Sequence, residues 1–143
     1  MHYIDTSVLV AYLVEETYSE LADKVCTDEN RHPLAISAWT ETEFFSALGI
    51  KCRTKQITET QRFETQEQYL LLKPSLVFIP VLGKDYLTAT NFVKHWQTKL
   101  RAGDALHLAI AANNDARLLS LDKRLAEAAG YFNISAEWLR AGE

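Results

Sequence analysis

The sequence predicts an α/β fold with a central, mostly parallel sheet covered by helices on both faces. Two observations lead to that class. Short apolar runs of strand length alternate along the chain with longer segments of helical periodicity. Parallel strands need a long crossover, and the helical segments between these runs supply one each time. With 143 residues, the chain has the usual size of one domain, and we expect residues 1–143 to form a single unit.

Tyr3 and Ile4 read as a short strand ending at Asp5, followed by a helix from Ser7 to about Val14. Ser19 to Cys26 reads as a second helix and Thr27 to Pro33 as a polar loop. Leu34, Ala35 and Ile36 form a buried strand, and Thr40 opens a helix that carries Phe44, Phe45 and Leu48 and stops near Lys55. Thr58 or Thr60 opens the next helix, which Pro74 ends, before a strand from Leu76 to Ile79. Pro80 and Gly83 mark its far side. From Asp85 the apolar residues Leu87, Ala89, Phe92, Val93, Trp96 and Leu100 recur at mostly helical spacing, and Gly103 separates this helix from the following one. That following helix, Ala105 to Ala112, has almost no polar face and should be packed on most sides. Leu118 to Leu121 reads as a strand, Asp122 to Ala129 as a short helix and Tyr131 to Ile134 as a last strand.

Composition limits the function classes. The chain is 48% apolar and 24% charged, and a chain of this length buries roughly 68 to 70% of the surface its unfolded form exposes, so no disulfide or structural metal is needed for stability. Cys26 and Cys52 lie far apart without a CxxC or His-x-His partner, which suggests neither a zinc site nor a disulfide framework and fits a reducing cytoplasm. The longest apolar stretch, near Leu76 to Leu82, is interrupted by Pro80, so neither signal peptide nor membrane span is expected. A formal net charge of -4 argues against holding nucleic acid by bulk positive charge, and any such role must rest on a local site. Lys51, Arg53 and Lys55 form one basic grouping, and Lys94, His95, Lys99 and Arg101 another. Solvated helix faces account for most of these.

In a parallel sheet the strand C-termini and the following helix N-termini share one edge, where ligands bind. Asp5 follows the first strand, Glu43 sits in the first turn after the second, and Asp122 follows the fourth. Those three carboxylates should share that edge. Asp104 follows a helix, so the same argument does not place it. Each acid also has a capping role open to it. Asp5, Asp104 and Asp122 could cap or complement helix starts, and Thr40 to Glu43 spells a capping box. Taken together, carboxylates crowded on one edge repel one another unless a cation or protons relieve the charge. Carboxylates without Cys or paired His select hard divalent ions, magnesium or manganese. Such ions support hydrolysis of phosphodiesters, in RNA and DNA alike. Glu41 and Glu43, two apart on one helix, point about 200° apart. We expect Glu43, beside the core side marked by Phe44 and Leu48, to face the site.

Four segments, YIDTSVLVAYL, TEFFSALG, LRAGDALHLAIA and LLSLDKRLAEAA, occur in that order over nearly the whole chain. The set resembles the sequence blocks of PIN domains of the VapC toxin type. The resemblance implies a PIN-like α/β/α sandwich, magnesium- or manganese-dependent endoribonuclease activity on RNA, a frequent homodimer and inhibition by a small antitoxin in a type II toxin-antitoxin pair. It assigns the family's acids to Asp5, Glu43, Asp104 and Asp122 as catalytic residues and metal ligands, with Asp5 and Asp104 foremost. It also makes Ser7 and Ser120 candidates for supporting hydroxyls. His107, one turn after Asp104, is expected to be structural. Other readings are a PIN-type nuclease of RNA maturation or DNA flaps without an antitoxin, and a catalytically silent PIN interaction module. A phospho-acceptor receiver domain shares the fold class, but the acid pair and lysine its chemistry needs have no convincing match.

Overall fold

The computed structural model describes residues 1–141. Gly142 and Glu143, counted in the domain expected from the sequence, lie outside the described residues. Five strands, β1 (His2–Ile4), β2 (Leu34–Ser37), β3 (Val77–Ile79), β4 (Arg117–Ser120) and β5 (Ala136–Trp138), form one sheet in the order β3-β2-β1-β4-β5. Every adjacent pair is parallel. The helices are α1 (Thr6–Leu13), α2 (Ser19–Cys26), α3 (Ala38–Arg53), α4 (Glu59–Leu72), α5 (Gly83–Val93), α6 (Ala102–Asn113) and α7 (Lys123–Tyr131). The expected α/β/α sandwich with a parallel sheet is therefore present. No helix among the described residues is long and apolar enough to cross a membrane.

Alternation along the central strands divides the core between the two faces. Tyr3, Ala35 and Leu118 point into the cluster beneath α6, with Ala105, Leu108 and Ala109. Their neighbours Ile4, Ile36 and Leu119 point to the other side, against Val8, Leu9, Phe44, Leu48 and Tyr69. The all-round apolar character of α6 has the expected outcome, for Ala105 through Ala111 are all buried.

Strand order decides where a ligand can sit. The chain leaves β1 for β2 and β3 on one side and returns to β4 and β5 on the other. The switch point lies between β1 and β4, and the edge beyond their C-terminal ends is where such sheets bind ligands. β1 ends immediately before Asp5, and β4 ends at Ser120.

Several boundaries differ from the sequence reading, each for a local reason. The last strand is Ala136–Trp138 and not Tyr131 to Ile134. Helix α7 continues to Tyr131, and Asn133 adopts a left-handed conformation (φ 59°). The Asn133 amide donates to the Gly130 carbonyl and that of Ile134 to Ala129, so the apolar run is a helix-terminating Schellman turn. Helix α3 starts at Ala38, before Thr40, because the Ser37 hydroxyl caps it by accepting from the Thr40 amide at 3.2 Å. The helix from Asp85 begins at Gly83 and ends at Val93, short of Leu100; a 3-10 turn, Trp96–Thr98, and Lys99 in a left-handed conformation (φ 60°) follow. Gly103 does not separate helices but is the second residue of α6.

Candidate active site

Asp5 stands at the switch point, 4% exposed, as the N-cap of α1. Its Oδ1 accepts from the Val8 amide at 3.2 Å and from the Ser7 hydroxyl at 2.5 Å. Its Oδ2 accepts from the Ser120 hydroxyl at 2.5 Å. Both serines are themselves held: Ser7 Oγ accepts from the Leu121 amide, and Ser120 Oγ from the Asp122 amide. Backbone of the loop after β4 thus orients two hydroxyls that clamp one carboxylate from opposite sides. Burial raises the Asp5 pKa, against the His107 charge and the bonds from Ser120, Ser7 and Val8.

Glu43 reaches the same edge from α3. Its Oε1 accepts from the Thr6 hydroxyl at 2.6 Å and lies 2.5 Å from His107 Nε2. His107, 1% exposed on α6, contacts the Tyr3 hydroxyl through Nδ1 at 2.7 Å. That hydroxyl also contacts Ser37 Oγ and Thr40 Oγ1 at 2.8 and 3.1 Å. His107 thus bridges the Tyr3 hydroxyl and the Glu43 carboxylate, and a buried chain runs from the N-cap of α3 to Glu43. Burial pushes the Glu43 pKa up, but the bonds from His107 and Thr6 prevail and hold it below the ordinary range.

Asp104 is the third residue of α6. Its carboxylate takes no hydrogen bond among the described residues, unlike those of Asp5 and Glu43. Its pKa is pushed up to about 6, by burial first and then by the charges of Asp122 and Asp5, with His107 opposing and Glu43 adding a smaller push. Asp122 caps α7, accepting from the Arg124 amide through Oδ1 at 2.9 Å. Asp104 and Asp122 share the wall of an open cleft of about 500 Å³ with Lys99, Arg101, Lys123 and Arg124. Among the described residues, no three acidic, His or Cys side chains are close enough to enclose a metal ion. The four acids interact through space and do not form a closed shell.

The capping readings separate at this point. Asp5 and Asp122 are true N-caps, yet Asp5 keeps an oxygen turned to Ser120. The Thr40 to Glu43 capping box does not exist, because the box joins Ser37 and Thr40 and places Glu43 beyond the first turn. Glu41 points away, accepting from Tyr69 and Lys73 at 2.8 Å each. His107 is buried and hydrogen-bonded as expected, but it also holds Glu43.

Sequence reasoning missed Tyr3, Thr6, Trp39 and Gly103. Trp39 Nε1 donates to the Gly103 carbonyl at 3.1 Å, and a Cβ on Gly103 would stand 3.2 Å from Glu43 Oε2 and 3.4 Å from the Trp39 ring. Glycine there permits the close approach of α6 to α3. One available signal would have placed Asp104: α6 leads directly into β4, so it runs antiparallel to the strands and its first turn lies at their C-terminal edge.

The PIN domain family model matches residues 2–131. No curated protein sequence matches the chain. Among solved structures, the chain resembles the FitAcB structure from Neisseria gonorrhoeae at 16% identity and TM-score 0.71, covering 95% of this chain and 96% of that one. It also resembles VapC20 from Mycobacterium tuberculosis, described as a toxin cleaving the sarcin-ricin loop, at 14% identity and TM-score 0.71, covering 90% and 95%. A third similar structure is VapBC2 from Rickettsia felis bound to a promoter DNA fragment, at 14% identity and TM-score 0.71, covering 96% and 98%. At these identities the likeness is one of fold.

Proposed function

Because the chain belongs to the PIN domain family, we propose that it is a magnesium- or manganese-dependent endoribonuclease, the toxin of a type II toxin-antitoxin pair. Asp5, Glu43, Asp104 and Asp122 form its active site. The observation that carries the reading is Asp104. A carboxylate pushed up to about 6 by burial and by Asp122 and Asp5, and taking no hydrogen bond, is costly in the absence of a counter-charge.

The residues fit a divalent cation by their donor chemistry. All four are hard oxygen donors, and Asp104 and one oxygen of Asp122 are uncommitted among the described residues. Magnesium keeps several of its waters and needs only one or two carboxylates directly, which suits acids that do not close into a shell. When bound, the cation supplies positive charge to phosphoryl oxygens and acidifies water. The chain supplies position. Ser7 and Ser120 fix both oxygens of Asp5, while Thr6 and His107 fix one oxygen of Glu43 and keep it ionised. Glu43 can then accept a proton from water on its free oxygen.

The toxin reading and the antitoxin partner draw on the relatives. A structure from Klebsiella pneumoniae that the chain also resembles is described as a toxin-antitoxin complex, and VapC20 as a toxin cleaving the sarcin-ricin loop. A homodimer and a cytoplasmic setting belong to the same proposal. Incubating the purified chain with structured RNAs and manganese tests it. Cleavage should stop with chelator and in Asp5→Asn, which keeps the shape and loses the charge. Chelator-resistant cleavage, or wild-type rates from the variant, would remove the proposed site.

A further inference from the structure

The cleft beside the acids carries a charge opposite to that of the molecule. Lys99, Arg101, Lys123 and Arg124 line it with Asp104 and Asp122, a local cationic excess in a chain of net charge -4. All four cations are exposed. Lys123 is engaged, with Glu127 at 3.8 Å and the Trp138 ring at 5.3 Å. The side chains of Lys99, Arg101 and Arg124 make no hydrogen bond or ion pair among the described residues. Arg31, Lys51 and Lys73, by contrast, are each paired with a glutamate. Three uncommitted cations facing one cleft repel one another and favour an anionic occupant.

Resting on the nuclease reading, we propose that Lys99, Arg101 and Arg124 bind the phosphate backbone of an RNA strand that enters the acid cluster from the side of α6 and α7. The place of the cleft beside the proposed site of hydrolysis favours this occupant over an acidic protein, since the carboxylates on its wall repel either anion alike. A phosphodiester strand held by the three cations passes directly beside Asp104 and Asp122, where hydrolysis is proposed. The cleft volume of about 500 Å³ accommodates backbone and ribose. Its lining offers no aromatic platform, so the contacts are with phosphates and do not read bases. The Lys99 backbone supports the geometry: its left-handed conformation turns the chain between the 3-10 segment and α6 and brings Lys99 and Arg101 to the same rim.

The test is RNA affinity against salt, with chelator present so that cleavage does not intervene. Fluorescence anisotropy of a labelled, unstructured oligouridylate is compared for wild type, the triple variant Lys99→Gln/Arg101→Gln/Arg124→Gln, and a charge-matched control, Lys24→Gln/Lys55→Gln/Lys84→Gln, at exposed positions elsewhere. Three lost phosphate contacts lower the slope of log affinity against log salt by about 2, so between about 50 and about 200 mM salt wild type should lose roughly 20-fold more affinity than the cleft variant. Oligoadenylate should show the same difference. The variant Lys99→Arg/Arg101→Lys/Arg124→Lys should restore the slope, which separates lost charge from damaged folding. An unchanged slope in the triple variant, or equal losses in the control, overturns the proposal. Retained RNA binding with lost binding of polyglutamate also overturns it and assigns the cleft to a protein partner. Failure of the nuclease reading looks different: the slope changes as predicted, yet no RNA is cut with manganese.

Discussion

Glu43 and Glu41 are two residues apart, yet the fold gives them different tasks. Glu43 accepts from Thr6 and His107, whereas Glu41 pairs with Tyr69 and Lys73 on the flank of α4. Glu43→Gln should therefore cut RNA cleavage by orders of magnitude with little change in melting temperature, since the amide preserves shape and removes the proton acceptor. Glu41→Gln should leave cleavage nearly unchanged and cost no more than about 1 kcal/mol, the usual limit for a partly exposed ion pair. Equal cleavage rates in the two variants would contradict the assignment. Gly103 provides a second residue-scale test. Gly103 is in the first turn of α6, where the helix-interior preference for alanine does not apply in full, and a Cβ there would crowd Glu43 Oε2 at 3.2 Å and the Trp39 ring at 3.4 Å. Gly103→Ala should stay folded and cleave more slowly because Glu43 must shift. A variant as active as wild type would show that the position of Glu43 is not critical.

At the scale of elements, the alternation of short apolar strands with helices made the sheet legible, because strands buried on both faces are apolar at every position. The positions of Asp5 and Asp122 were legible for the same reason, since Asp5 directly follows β1 and Asp122 lies two residues beyond the end of β4. The start of α3 was not, because Ser37 and Thr40 are both good caps, and the fold uses both, Ser37 as the N-cap and Thr40 as its capping-box partner. Tyr131 to Ile134 resembled a strand because a Schellman turn buries its own apolar residue, here Ile134 against the core. The hydrogen-bonded chain through Tyr3 and His107 was hidden for another reason: its members are 104 residues apart. That chain ties β1, the start of α3 and α6 together beneath the site. Tyr3→Phe should destabilise the protein by about 1 to 3 kcal/mol, the cost of leaving buried partners unsatisfied, and should reduce cleavage through the loosened His107 and Glu43. Chemical denaturation and the cleavage rate check this, and an unchanged stability would show that the chain is incidental.

For the molecule as a whole, the acid cluster sets stability against activity. Asp104 is an acid whose folded pKa, about 6, lies above its ordinary 3.8. Between those values the folded protein binds more protons than the unfolded chain, so this group makes stability fall as pH rises through the interval, and the penalty is complete above it. Asp5, also raised, has the same sign. Glu43 has the opposite sign: its pKa is lowered, so its contribution is present above its ordinary 4.5 and is lost only as pH falls below that range. The metal-free protein should therefore lose melting temperature between about pH 5 and about pH 7 by more than Asp104→Asn does; parallel curves would remove Asp104 from the source of the strain. A divalent ion that binds only the folded state reverses the penalty by linkage. Strain at Asp104 that a divalent ion relieves is tested most directly by melting temperature at neutral pH, measured for wild type and Asp104→Asn with chelator and with manganese. The variant should melt higher than wild type in chelator, and manganese should raise wild type strongly and the variant little. A variant less stable than wild type in chelator, together with equal manganese shifts in both proteins, would show that Asp104 is neither strained nor a metal ligand.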